Sequence, residues 1–354
     1  MPSKRACLAG FRSGRRISVS APGSVRTYGP RLSAVLPIAA AVLAATCLLT
    51  GAANAAAPAQ DDTDTAIWRA EHGLLLGVAR AGDRLVAVGN AGHILLSDDN
   101  GATWRIAKSP TDELLTSVVF PTPQEGWAVG QDEVILHSTD GGASWTQQHI
   151  KADADQVLFS IISLSPGHLF TSGSYNLTEE TTDGGATWTE GKLANLDDDY
   201  HLNCDINRGD DILITGEAGH AFIRYAGAWT PMKLPYDGSQ FACALGPDGS
   251  FYSFGLRGTA FKSLPGARDW TKLETGTQRS IFGATSLTTG HIAVVGSNGL
   301  VELLDPATGK MTTLPRPTAA TISGVTEAKD GKLVTVGDDG VHLVDPAMTA
   351  EVSQ

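Results

Sequence analysis

The chain has 354 residues, 42% of them hydrophobic and 6% aromatic, with 40 glycines and a formal net charge of −12. An acidic chain of this kind is a poor match for nucleic acid or an anionic lipid surface, because like charge repels both. The length allows one large all-β domain or two ordinary ones.

The first 55 residues stand apart. They hold Lys4, Arg5, Arg12, Arg15, Arg16, Arg26 and Arg31 and no acid, followed by an Ala/Leu/Val run over 32–50 and the small-residue site Ala53-Asn54-Ala55. A basic start, an apolar middle and a small-x-small end read as a secretory signal peptide over 1–55. Removing its seven cations leaves 19 bases against 38 acids, a formal charge near −19. No later apolar run approaches a membrane span. The expected product is exported, to the periplasmic or lumenal side of a membrane or beyond it.

Residues 56–65 are a polar lead-in, and residues 349–354 a short tail. Between them, 66–348 repeat one pattern: strand, glycine, turn, strand, Asp/Gly loop, Trp. Aligning the glycine that ends the second strand of each repeat gives Gly89, Gly130, Gly173, Gly216, Gly255, Gly296 and Gly337, at steps of 41, 43, 43, 39, 41 and 41 residues. Phased units of about forty residues with several short strands predict a seven-bladed β-propeller, an all-β fold. The inner strand of each blade falls at 74–78, 114–120, 157–162, 202–206, 241–245, 281–285 and 322–326, in runs apolar on consecutive residues, as a strand covered on both faces should be. The blade glycine is expected to supply a positive φ for the turn that follows. No helical period stands out. Ala66-Ile67-Trp68-Arg69 resembles the outer-strand openings such as Trp104-Arg105, and the last repeat lacks an outer strand. A strand near Ile67 is therefore expected to complete blade seven and close the ring.

The loop after the third strand carries S/T-x-D-x-G-x-T/S-W, the Asp-box. It occurs as Ser97, Asp99, Gly101, Trp104; as Ser138, Asp140, Gly142, Trp145; and as Thr181, Asp183, Gly185, Trp188. The Asp can accept N–H groups of its own turn, the Gly permits the reversal and the Trp covers the hairpin. These acids are expected to be structural. Later blades lose the motif: Pro265 replaces the Asp in blade five, and Asp305-Pro306-Ala307-Thr308-Gly309 stands in blade six.

Asp-boxes also occur in glycosidases. A sialidase-like site needs a Tyr nucleophile and an arginine cluster, whereas the arginines here are scattered and Phe222-Ile223-Arg224-Tyr225 only loosely echoes the Phe-Arg-Ile-Pro motif. His93 and His220 share a blade position but lie in blades one and four, and no histidine shows ligand spacing. No catalytic residue, metal ligand or cofactor is expected. Cys204 and Cys243 both fall twelve residues before their blade glycine, so equivalent positions on neighbouring blades should lie about 10 Å apart. That favours two buried thiols over a disulfide. What remains is an acidic loop face formed by Asp132, Glu133, Asp153, Asp155, Asp197, Asp198, Asp199, Glu217, Asp338 and Asp339, which reads either as ordinary solvated polar loops or as a docking surface for a basic segment of another protein.

The order Trp68, 74–78, 85–89 and Ser97 to Trp104, followed by Gly126-Trp127-Ala128-Val129-Gly130 and Ser138 to Trp145, resembles the photosystem II stability/assembly factor family. The likeness spans residues 66–345. It implies a monomeric, non-enzymatic seven-bladed propeller that binds a membrane-protein precursor or envelope complex. Members in bacteria without photosynthesis are linked to membrane exporters. Photosynthetic members bind through an arginine patch; this chain offers acids instead. The alternative reading is a sugar-binding or sialidase-like propeller.

Overall fold

A computed structural model describes residues 60–149, 155–193, 200–266 and 268–348. The expected signal peptide at 1–55 and tail at 349–354 lie outside them. No helix among the described residues is long and apolar enough to cross a membrane.

The strands form seven antiparallel sheets, six of four strands and one of three, each in simple sequence order. They are the seven blades of a propeller. The inner strands are Leu75–Ala81, Leu115–Val119, Leu158–Ser165, Leu202–Arg208, Gln240–Leu245, Ile281–Ser286 and Ile322–Glu327. Second strands such as Gly126–Gly130 and Ile292–Gly296 are buried at every residue. Each is sandwiched between neighbouring blades, so both faces carry apolar side chains. The core is correspondingly divided into interblade layers. Val86, Leu96, Val118, Leu136 and Trp145 pack between blades one and two, and Ile162, Phe170, Ile212 and Phe222 between blades three and four.

The blade glycine has a different reason from the expected one. Gly89 is extended, with φ −176°. A Cβ there would overlap the Leu74 carbonyl oxygen, and the six equivalent glycines meet the matching carbonyl of their own blade. Close backbone approach, not positive φ, selects the residue. The left-handed conformation falls two residues later, at Ala91, Asp132, Tyr175, Ala218, Arg257 and Asn298, with φ between 52° and 55°.

The amino-terminal expectation fails as well. Residues Gln60–Glu71 form an α-helix, and blade seven has three strands, Ile322–Glu327, Leu333–Gly337 and Gly340–Val344. Arg69 lies in the last turn of this helix, where a cation complements the helix dipole. Its Ala70 is fully buried against Leu75, Leu95 and Val336. Trp68 is 59% exposed and stacks on His72 at 4.6 Å. The ring closes by side-chain packing between blades one and seven. There Leu85 meets Val334 and Ala328, and Lys329 pairs with Asp83 at 2.6 Å.

Candidate functional site

The inner strands converge on the axis, and each carries a β-bulge one residue after its start. A bulge leaves one residue unpaired and turns it out of the ladder. The unpaired residues are Leu76, Phe159, Phe241 and Phe282, with the polar Thr116, Asn203 and Ser323. All seven line one axial cavity of about 800 Å³. Two of the aromatic members touch: Phe241 and Phe282 lie 5.2 Å apart, centroid to centroid, while Phe159 lies 5.5 Å from the His201 ring. Asn203 spends its amide on the Gln240 carbonyl at 2.9 Å, and the Thr116 hydroxyl donates to Leu158 and Val129 carbonyls.

The residue after the bulge is small throughout: Gly77, Ser117, Ser160, Cys204, Ala242, Gly283 and Gly324. The three glycines face the next blade at short range; a Cβ on Gly283 would lie 2.7 Å from the Ser323 carbonyl oxygen. Cys204 occupies this position in blade four, opposite Thr215 on its partner strand. Cys243 lies one place further along its strand, opposite Ser253, which is two residues before Gly255. The hairpin of blade five is one residue longer, so counting back twelve residues lands on the other side of the sheet. The two sulfurs therefore face each other and are joined as a disulfide, with Cα atoms 6.0 Å apart. The expectation of two separate thiols is corrected on both counts: strands near the axis approach more closely than stacked sheets, and the two positions are not equivalent.

The position of Cys243 is held in other blades by Val78, Val118, Ile161, Ala284 and Val325, and in blade four by Asp205. Asp205 is 5% exposed and lines the cavity. Its Oδ1 accepts the Ser172 hydroxyl at 2.7 Å, and its backbone N–H donates to Ser160 Oγ at 3.2 Å. Its Oδ2 makes no hydrogen bond. Burial pushes the carboxyl up to about 7, against the opposing pull of the Ser172 and Ser160 hydroxyls. The sequence reading passed over this residue. The available signal was an acid in a register otherwise apolar, visible only once strand pairing is known.

The Asp-boxes sit on the opposite ends of the strands, away from the bulges. In blade two, Ser144 N–H and hydroxyl donate to Asp140 at 2.8 and 2.6 Å, Gly142 N–H donates to Ser138 Oγ at 2.8 Å, and Trp145 Nε1 donates to the Gly142 carbonyl at 2.8 Å. Asp99 and Asp183 make the same bonds with Thr103 and Thr187. The Thr hydroxyl and N–H, then the Ser or Thr at the head of the box, hold both carboxylates at about 2.

The acidic loop face is thinner than its sequence. Asp132, Asp155 and Asp338 are exposed. Glu133 is buried in its turn, 4% exposed. Glu217 lies 3.7 Å from His201 and accepts its backbone N–H, while Asp339 accepts His342 Nε2 at 2.9 Å and the Thr318 hydroxyl. Asp153, Asp197, Asp198 and Asp199 lie outside the described residues. Arg224 is committed elsewhere. Its guanidinium donates to both oxygens of Glu180 at 3.0 Å and lies against the Phe170 and Trp229 rings, tying blade three to blade four. Burial raises the Glu180 carboxyl, but His168 and Arg224 outweigh it and hold it low.

Fold and site together define an Asp-box propeller with a bulge-lined axial cavity. The family described as photosynthesis system II assembly factor YCF48 matches residues 103–281, half of the chain, and the chain belongs to that family. It is 44% identical over 64 residues to the photosystem II assembly lipoprotein Ycf48 of Synechococcus sp. (strain CC9902), a match covering 17% of this chain and 19% of that protein. A solved structure titled YCF48 bound to D1 peptide has a TM-score of 0.63 at 18% identity, covering 77% of this chain and 93% of the other. YCF48 from Cyanidioschyzon merolae has a TM-score of 0.63 at 15% identity, over 77% and 95% of the two chains. A streptogramin B lyase has a TM-score of 0.65 at 12% identity, over 78% and 94%. At such identities the structural likeness shows the fold alone.

Proposed function

We propose that this chain is a non-catalytic, protein-binding assembly or stability factor for a membrane complex, acting on the periplasmic or lumenal side. The family match across residues 103–281 carries this reading. The bonding of the Asp-boxes supports it: the carboxylates of Asp99, Asp140 and Asp183 are consumed within their own turns and are not presented to a substrate. The partner class is a membrane-protein precursor, by analogy with the relative solved with a D1 peptide. Docking is assigned to the loop face, with Asp132, Asp155 and Asp338 supplying exposed negative charge to a basic segment. Exposed charges act over roughly a Debye length, about 8 Å at physiological salt. Capture should therefore weaken as salt rises.

The test is capture by the tagged chain from detergent-solubilised envelope membranes at low and high salt, with mass spectrometry of what is retained. A specific membrane protein retained at low salt, lost at high salt, and lost with Asp132→Lys/Asp155→Lys/Asp338→Lys supports the reading. Retention indifferent to salt and to these substitutions removes the loop face from the account. Retention of nothing at either salt removes the assembly function.

A further inference from the structure

The axial cavity opens on the loop face. Gln131 lines it and is exposed, and Asp132 follows in the same turn. Val157 lines it too and is tied to the turn of blade three. Its N–H donates to Ser174 Oγ at 3.0 Å, and the Ser174 N–H donates to its carbonyl at 2.9 Å. The next residue, Tyr175, therefore stands at the rim. Its side chain is 48% exposed. The same left-handed turn position is held by Ala91, Asp132, Ala218, Arg257 and Asn298 in other blades, so the turn itself does not call for an aromatic ring. The Tyr175 ring lies edge-on to His201 at 5.5 Å, and His201 lies 5.5 Å from Phe159. Phe159, Phe241 and Phe282 are half-buried in the cavity wall. A shelf of rings thus runs from the surface of blade three into the cavity.

Polarity is divided along the same line. Among the described residues no Lys, Arg or His lines the cavity, and its one acid, Asp205, is closed off in the interblade layer. A wall of this kind accepts an apolar group and penalises an unpaired charge. Its volume of about 800 Å³ is ample for an aromatic side chain. The charge lies outside, on Asp132 and Asp155, both exposed and neither in an ion pair among the described residues. The two are neighbours, because the Glu133 N–H donates to the Gln156 carbonyl at 3.0 Å. Asp155 precedes Phe159 by four residues, which at the rise of an extended chain is within about 13 Å. Protein interfaces concentrate their binding energy in this way, on aromatic anchors in a pocket with a polar rim around them.

We infer that the loop face takes an extended segment through the mouth of the axial cavity. One aromatic side chain of the segment sits among Phe159, Phe241 and Phe282, and lysines or arginines three or four places away meet Asp132 and Asp155. The inference rests on the docking reading and narrows it: charge alone would accept any basic segment, whereas this site requires an apolar anchor beside the cations.

The probe is the peptide acetyl-Lys-Lys-Ser-Gly-Ser-Phe-Ser-amide, titrated against the full chain and followed by saturation-transfer NMR. The expected result is saturable binding with the strongest transfer at the phenyl protons. Replacing the peptide's Phe by Ser should weaken binding at least ten-fold. Ser323→Trp, which crowds the cavity from a half-buried lining position, should do the same, and Tyr175→Ala at the surface should weaken it several-fold. Melting temperatures of both variants close to the parent's tie the loss to the site rather than to unfolding. Asp132→Lys/Asp155→Lys should weaken the peptide at low salt and much less at high salt. Failure of membrane capture beside anchored peptide binding removes the membrane partner and leaves the site. Salt-sensitive capture beside equal binding of the Phe and Ser peptides means that the acids dock alone, and overturns the inference. Absence of saturable binding, or binding indifferent to Ser323→Trp and Tyr175→Ala, overturns it as well.

Discussion

At the scale of single residues, two sets of carboxyls are pushed in opposite directions. Asp99 and Asp183 are held at about 2, below their ordinary 3.8, by donors that exist only in the folded turn. Their contribution is present above about pH 4 and is lost as pH falls through 2. Asp205 is raised from 3.8 to about 7 by burial. The folded chain binds that proton more tightly, so its contribution is full below about pH 4 and is lost as pH rises through 7. Asp205→Asn should therefore stabilise the chain at pH 8 by up to a few kcal/mol, with the gain vanishing near pH 4. Urea unfolding of both forms across that range checks the sign; a variant less stable at pH 8 than the parent contradicts it. Within an Asp-box, Ser138 accepts the Gly142 N–H and donates to Asp140. Ser138→Ala should cost about 1–2 kcal/mol at neutral pH, measured the same way.

At the scale of elements, the blade hairpin is set by a close approach. Gly296→Ala would drive a methyl group into the Ser280 carbonyl oxygen, and that overlap can be relieved only by parting the first two strands of blade six. A loss of about 3 kcal/mol or more is expected by thermal melting, against about 1–2 kcal/mol for Gly309→Ala, whose Cβ would meet nothing within 4 Å and whose only penalty is its left-handed φ of 72°. The Cys204–Cys243 bond joins blades four and five across 39 residues of sequence. Chain-entropy reasoning gives it up to about 4 kcal/mol. Reducing agent should lower the melting temperature of the parent and leave the double variant Cys204→Ser/Cys243→Ser unmoved. An equal response of the two forms would mean that the cysteines are not bonded in solution.

At the scale of the whole molecule, the seven-fold architecture was legible because its signals are local and repeated. A glycine every forty residues, an Asp-box whose bonds all fall within a single turn, and runs buried on both faces each report on a few consecutive residues. The candidate site was less legible. The bulge collar depends on which residue each strand leaves unpaired, and Asp205 stands out only when its register is aligned with Val78 and Val118. The helix at Gln60–Glu71 was missed because Ile67-Trp68-Arg69 imitates an outer-strand opening over so few residues that short-range resemblance could not distinguish the two.

The sequence by itself determined the blade count, the inner strands to within three residues at either end, the Asp-box loops and the family. These follow from side-chain period and turn chemistry, which act between near neighbours. Tertiary structure alone decided that Cys204 meets Cys243, that the ring closes by packing rather than by a shared strand, and that Asp205 faces a neutral axial cavity. The first and the third hang on one-residue offsets in strand register, the second on a segment that folds as a helix where a strand was expected. In a strand such an offset sends a side chain to the opposite face, and composition and periodicity carry no record of it.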